Sequence, residues 1–208
     1  MNILIADDHA IVRKGLTQLL LEQYPFAIIE EAGNAEELLQ KVILGKWDVV
    51  ICDISMPGRS GIDVLSQIKQ LVPGLPVLIM SMYSEDQYAL RAFKAGASGY
   101  LGKETIHYNL LKAVERILAG KKFITPSIAE KLATSFRNDD RKQAHEYLSN
   151  REFEVFKLLA AGKSVSDIAD QLSLNATTIS TYRTRIMEKM KMKSNADIIR
   201  YALENDLI

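Results

Sequence analysis

The chain has 208 residues, room for one large domain or two ordinary ones, and its 48% apolar and 25% charged composition is that of a globular protein. Acidic and basic residues balance at 26 each, so overall charge designates no nucleic-acid or membrane partner and any basic surface has to be local. The lone cysteine, Cys52, excludes an intramolecular disulfide framework. No apolar run approaches the roughly 20 residues of a membrane span, and the N-terminus has no signal-peptide pattern. A cytoplasmic chain with no membrane partner is therefore expected.

From the N-terminus to about Gly120, short apolar runs alternate with stretches of helical periodicity. The runs cover residues 3–6, 27–29, 49–52, 77–80 and 99–101. They are rich in Val and Ile and continuous, as strands covered on both faces should be. Three of the intervening helices carry start signals: Asn34 with Glu37, Ser84 with Gln87, and Thr105. Five βα repeats predict a doubly wound, five-stranded parallel sheet, an α/β fold. Beyond it, residues 122–146 read as a linker with a short helix, starting at Pro126-Ser127 and followed by the polar stretch "RNDDRKQAHE". A capping box, Ser149 with Glu152, then opens a region without strand pattern. Helices are expected there at about 150–161, 165–172, 176–191 and 195–205. The predicted division is 1–121, 122–146 and 147–208, the last a small all-α domain.

The first candidate site lies at strand ends. "ILIADD" runs an apolar strand into two adjacent aspartates, Asp7 and Asp8, and "VVICD" ends the third strand on Asp53. In a flavodoxin-like order 2-1-3-4-5, strands one and three flank the switch point where open α/β sheets bind ligands. Three carboxylates meeting there repel one another, and a hard divalent cation, Mg²⁺, suits them. Ser81 ends the fourth strand with a hydroxyl, and Lys103 follows the fifth with a positive charge. An aspartate beside Mg²⁺, a hydroxyl and a lysine makes a clamp for phosphoryl transfer, with Asp53 the nucleophile that becomes an acyl phosphate. Cys52 reads as an inert buried strand residue and His9 as an exposed loop residue.

The second candidate site is helical. The segment 165–172 offers the apolar stripe Ile168, Ala169 and Leu172, and Ser173-Leu174-Asn175 makes a short turn. The next helix buries Ile179, Ile186 and Met190 and shows Ser180, Thr181, Arg183, Thr184 and Arg185 on its other face. Between Thr181 and Ser194 stand Arg183, Arg185, Lys189, Lys191 and Lys193 against Glu188 alone. A helix, a short turn and a basic second helix form the helix-turn-helix device that reads the DNA major groove. The competing reading is a helical bundle whose charged face only keeps it in solution.

The motifs "ADDH", "VVICDISMPGRSGID", "MSMYSED" and "AFKAGASGYLGK", in this order and spacing, resemble a response-regulator receiver domain over residues 2 to about 120. Residues 147–208, with "LSNREFEVFKLLAAGKS", "IADQL", "TTISTYRTRIMEKM" and "SNADIIRYA", resemble the LuxR-type output domain, so the chain resembles the NarL/FixJ group of response regulators. The resemblance implies that a sensor histidine kinase phosphorylates Asp53. It further implies that Asp8, Asp53 and the Ser55 carbonyl hold Mg²⁺ with Asp7 acting mostly through water, and that Ser81 and Tyr100 report phosphorylation. Ser55 and Tyr83, flanking the phosphate, would tune its lifetime. The resemblance places base reading at Ser180, Thr181 and Thr184, and phosphate contacts would fall among Thr178, Arg183, Arg185 and Lys189. The last helix would serve a homodimer on double-stranded promoter DNA. Glu104 stands where many receivers have proline, Ser180 where the output family often has lysine and Tyr182 where it often has histidine.

Such a chain is expected to be no enzyme beyond its own phosphorylation and slow self-dephosphorylation. One rival is an aspartyl-phosphate phosphatase, disfavoured because Ser55 occupies the place of its second aspartate. Two others are a constitutive DNA binder with a receiver used only for pairing, and a small-ligand quorum sensor, whose first domain lacks such an acidic set.

Overall fold

Continuous apolar runs need cover on both faces, and the chain supplies it by winding helices over each side of a parallel sheet. The computed structural model describes all residues except 57–58, 83–84 and 138–142, and the side chains of these and of residues 85–87, 131–132 and 134–137 apart. The elements are β1 (Asn2–Ala6), α1 (Ala10–Gln23), β2 (Ile28–Ala32), α2 (Ala35–Leu44), β3 (Val49–Asp53), α3 (Gly61–Leu71), β4 (Val77–Ser81), α4 (Glu85–Lys94), β5 (Gly99–Gly102) and α5 (Ile106–Leu118). The five strands are parallel in the order β2-β1-β3-β4-β5, as the repeats predict.

β3 and β4 are buried at every residue, and α1 and α5 close one face through Leu16, Leu20, Leu110, Val114 and Ile117 over Ile5, Ile51 and Leu78. α2 packs against α3 and α3 against α4. The edge strand β2 departs from expectation: it runs over 28–32, and only Ala32 is fully buried. Its two glutamates face outward, Glu30 to Lys41 at 3.2 Å and Glu31 to Arg13 at 2.8 Å. The edge strand carries two consecutive glutamates, one on each face, so a search for continuous apolar runs truncates it.

Two helix starts were readable in different degrees. Asn34 caps α2, its Oδ1 accepting from the Glu37 amide at 2.9 Å. Thr105 precedes α5 but does not cap it; a 3-10 turn over Lys103–Thr105 intervenes, and the Thr105 hydroxyl donates back to the Gly102 carbonyl at 3.2 Å. Ser84 lies outside the described residues.

The chain divides into two units, residues 1–134 and 135–208. A further helix, α6 (Pro126–Arg137), begins with proline at its first position, where the missing amide has no partner to lose. The second unit holds a 3-10 turn (Ala144–Tyr147), α7 (Asn150–Ala160), α8 (Val165–Leu172), α9 (Ala176–Met190) and α10 (Asn195–Glu204). All four helices lie within a residue of their expected bounds because each start is capped: Ser149, Ser164 and Ser194 in capping boxes and Asn175 alone. α7 is the central helix, burying Phe153 and Phe156 against α9 and α10. Its buried Arg151 pairs with Glu154 at 2.5 Å and donates to the Leu172 carbonyl at 3.3 Å, tying α7 to the end of α8. Left-handed Ser173, φ 52°, stops α8 and turns the chain into α9. No described helix is long and apolar enough to cross a membrane.

Candidate functional site

The parallel register brings the carboxyl ends of β1, β3, β4 and β5 to one rim. Ala6 pairs with Cys52, Asp53 with Met80 and Ser81 with Gly102. Asp7 and Asp53, respectively 0% and 2% exposed, thus become buried carboxylates at a sheet edge. Lys103 compensates both: its Nζ lies 2.6 Å from Asp7 Oδ2 and 3.0 Å from Asp53 Oδ2. Burial disfavours the ammonium, but Asp53 and Asp7 outweigh it and hold the Lys103 pKa above its ordinary value.

One lysine serves two acids, and the balance stays on the acidic side. Burial pushes Asp53 up to about 6; Lys103 opposes this, and the charges of Asp7 and Asp8 add to it. The Cys52 thiol is pushed up by burial and by Asp53 and Asp7, which keeps it protonated and unreactive.

The backbone around these groups is tightly held. Asp7 donates its amide to Ala32 at 3.2 Å, and its carbonyl accepts from Arg13 Nη1 at 2.8 Å. Below Asp53, α3 begins so close to the strand end that a Cβ on Gly61 would stand 2.1 Å from the Asp53 carbonyl oxygen. The Gly61 amide donates to the Ile54 carbonyl at 2.7 Å, and Ser55 bridges Ser60 in antiparallel fashion, folding the loop back. Gly61 was missed as a site residue, although "SGID" directly after the aspartate loop was its signal.

Ser81 and Tyr100 are both buried, Tyr100 completely. Lys103 engages both aspartates. Tyr83 lies outside the described residues. His9 is 65% exposed yet engaged: its Nδ1 lies 2.7 Å from Asp8 Oδ1 and 3.2 Å from Asp7 Oδ1. Donor atoms of Asp7, Asp8 and His9 fall within 4.8 Å of one another. Two convergent carboxylate oxygens beside a third buried carboxylate, at a rim that solvent reaches through Asp8, make a hard-oxygen donor set that fits Mg²⁺.

The second site is a helix face. Ser180, Thr181, Thr184 and Arg185 are all exposed on α9, opposite buried Ile179, Ile186 and Met190. The hydroxyls of Thr181 and Thr184 donate to the carbonyls of Thr177 and Ser180 at 3.0 and 3.1 Å. They therefore face outward as acceptors with a methyl group, not as free donors. Thr178 is committed to the cap, its amide and its hydroxyl each 2.7 Å from Asn175 Oδ1. Arg183 Nε donates to Asn195 Oδ1 at 2.9 Å, bracing α9 against the start of α10. Lys189 Nζ lies 2.6 Å from Glu152 Oε2, on the capping box of α7. Sequence reading found these residues but not the bonds that orient them.

Residues 3–115 match the response regulator receiver domain and residues 146–202 the luxR family of bacterial regulatory proteins. The chain belongs to the bacterial response regulators that couple a receiver to a LuxR-type helix-turn-helix domain. Within that class it is of the NarL/FixJ type. It is 34% identical to the oxygen regulatory protein NreC of Staphylococcus carnosus over 100% of this chain and 99% of NreC. It is 31% identical to the response regulator GacA of Pseudomonas viridiflava over 100% of this chain and 98% of GacA. Among solved structures, RcsB of Salmonella enterica serovar Typhimurium, bound to promoter rprA in the presence of the phosphomimetic BeF3-, superposes with a TM-score of 0.63 at 28% identity, covering 97% of this chain and 98% of RcsB.

Proposed function

We propose that this protein is a cytoplasmic transcription regulator whose affinity for promoter DNA is raised when a sensor histidine kinase phosphorylates Asp53. The observation that carries the reading is Lys103 Nζ set between Asp7 and Asp53, two buried carboxylates from different strands. Burying two acids on one lysine, with the charge of Asp8 beside them, is costly to a fold unless the surplus negative charge has a use. Binding a cation and then a phosphoryl group is such a use.

Asp7, Asp8 and Asp53, with the Ser55 carbonyl, would hold Mg²⁺, which supplies neutralisation for phosphoryl oxygens when bound. An Asp53 carboxylate oxygen attacks phosphorus, the bond from phosphorus to the kinase imidazole nitrogen breaks, and the imidazole leaves with the electron pair and takes up a proton. Lys103, already 3.0 Å from Asp53, stays as the fixed cation for the transferred group. Ser81 at the end of β4 donates its hydroxyl to a phosphoryl oxygen, and buried Tyr100 beside it on β5 carries the change to the far surface. Ser55 and Tyr83 tune the lifetime of the acyl phosphate. This shifts a two-state equilibrium of the receiver rather than building a new structure.

In the output unit, α9 enters the major groove. Arg183, Arg185, Lys189 and Thr178 approach phosphates while Ser180, Thr181 and Thr184 face base edges. The acceptor-plus-methyl presentation of the two threonines favours the amino groups of adenine or cytosine and the methyl of thymine. A two-fold homodimer paired through α10 would read half-sites about 10 bp apart.

The test is labelling by acetyl phosphate with Mg²⁺. Wild type incorporates phosphate and its promoter affinity rises; Asp53→Asn incorporates none and its affinity does not respond. Retained labelling in the variant would overturn the assignment of Asp53.

A further inference from the structure

We propose that Arg13 is a positioning residue of the cation site: its guanidinium fixes the peptide that joins Asp7 to Asp8 and so sets the direction of both carboxylates. This rests on the reading, above, of Asp7 and Asp8 as cation ligands.

The two aspartates follow β1 at the point where the sheet stops holding the chain. The Asp7 amide still donates to Ala32 at 3.2 Å, but no backbone amide of the described residues donates to the Asp7 carbonyl. Arg13, in the first turns of α1, supplies that donor instead, with Nη1 2.8 Å from the oxygen. The same guanidinium gives its Nε to Glu31 Oε2 on β2, also at 2.8 Å. In the sheet register Glu31 stands beside Ile5 of β1. One planar group thus reaches from the edge strand to the loop after β1, and its two prongs cannot turn independently.

An exposed ion pair alone would be worth at most about 1 kcal/mol and would concern stability only. The Arg13 side chain is 17% exposed, however, and its second prong meets a main-chain oxygen rather than a charge. A peptide group is rigid and planar, so holding the Asp7 carbonyl also fixes the Asp8 amide and the bonds from which both side chains depart. Asp7 has further anchors, since Oδ1 accepts from the His9 amide at 2.8 Å and Oδ2 from Lys103 at 2.6 Å. The Asp8 carboxylate meets only the exposed His9 ring, at 2.7 Å, and depends more on its backbone for direction.

Mg²⁺ demands near-ideal octahedral geometry. A small rotation of this peptide therefore weakens cation binding, while phosphoryl transfer is little changed once the ion is held.

The test uses the full chain, with Mg²⁺ binding followed by calorimetry and acetyl phosphate labelling followed across a Mg²⁺ series. Arg13→Met keeps the apolar stem and removes both prongs. It should bind Mg²⁺ about tenfold more weakly and shift half-saturation of labelling by the same factor. Its labelling rate at saturating Mg²⁺ should stay close to that of wild type. Arg13→Lys, whose ammonium serves one partner at a time, should fall between the two. Glu31→Gln keeps an acceptor for Nε and should bind Mg²⁺ like wild type. Wild-type Mg²⁺ affinity in Arg13→Met, even with lowered stability in urea and EDTA, overturns the role of Arg13 and leaves the carboxylate site standing. A Glu31→Gln as weak as Arg13→Met does the same, by assigning the effect to the ion pair. Should Arg13→Met fail to fold, wild-type affinity in Arg13→Lys overturns it. No bound Mg²⁺ in wild type, or full binding in Asp8→Asn, overturns the cation site itself and the inference with it.

Discussion

Lys103 reaches Asp7 across 96 positions of the chain, whereas the hydroxyls of Thr181 and Thr184 find their partners four residues back in the same helix. The acidic crevice is an assembly of strand ends, with Asp7, Asp53 and most of Lys103 buried and Asp8 at its open rim. The candidate recognition face is a single helix, with Arg185 in solvent, Lys189 half-exposed on Glu152 and Arg183 bonded to Asn195. Buried charge has large energetic consequences because protein replaces water around it, while exposed charge matters chiefly to what docks on it. Substitutions in the crevice should therefore register in stability as well as signalling, and those at the exposed Ser180, Thr181, Thr184 and Arg185 of α9 chiefly in DNA binding.

The largest effect is expected at Gly61. Gly61→Ala drives a Cβ into the backbone carbonyl of Asp53, and should lower receiver stability by about 3 kcal/mol in urea melts while impairing phosphate incorporation. A variant as stable as wild type would show that α3 can withdraw from the strand end without cost.

Next comes Asp53 in metal-free buffer. Its pKa, pushed up to about 6, means that the folded state still holds a proton which the unfolded chain has released, in the window from about pH 4 to pH 6. Stability of the wild type should therefore rise as pH falls through that window. Above it the ionised group weighs against folding, so Asp53→Asn should gain about 2 kcal/mol at pH 7 and nothing below about pH 4. Urea melts at the two pH values with EDTA present check both sign and window.

Glu152 has the opposite sign. Burial alone would raise its pKa, but Lys189 and the Ser149 amide hold it below the usual carboxylate value. Its contribution is present above the ordinary glutamate range and is lost as pH falls through the lower folded value. Glu152→Gln should cost the output unit about 1 kcal/mol at neutral pH, with the deficit shrinking in acid. A deficit that persists undiminished in acid would assign it to packing rather than charge.

The smallest effect in free energy belongs to the exposed face. Arg183→Ala should weaken binding to all DNA sequences alike and flatten the salt dependence by about one unit, with no change in thermal stability beyond the loss of the Asn195 bond. A salt dependence identical to wild type would remove Arg183 from the phosphate contacts.

Reading the chain alone went furthest where local rules govern. Ser149, Ser164, Asn175 and Ser194 announce helix starts by hydrogen bonds spanning three residues, and the helices of the second unit are found almost to the residue. β2 was cut short because an edge strand does not look like its buried neighbours, and Thr105 was misjudged because a 3-10 turn absorbs the position before α5. The aspartates and the lysine are visible as strand-end residues. Their partnership is not, since Asp53 could as well have met the lysine alone.

Periodicity, capping and the order of apolar runs thus determined the parallel sheet, the helix-turn-helix and the identity of the acidic and basic groups, because each depends on neighbours within a few positions. Only tertiary structure decided that one lysine serves two buried acids, that α3 approaches Asp53 closely enough to require Gly61, and that His9 turns from its helix to Asp7 and Asp8. Those depend on distances of a few ångströms between strand ends and loops, and such distances are set by how the sheet packs as a whole.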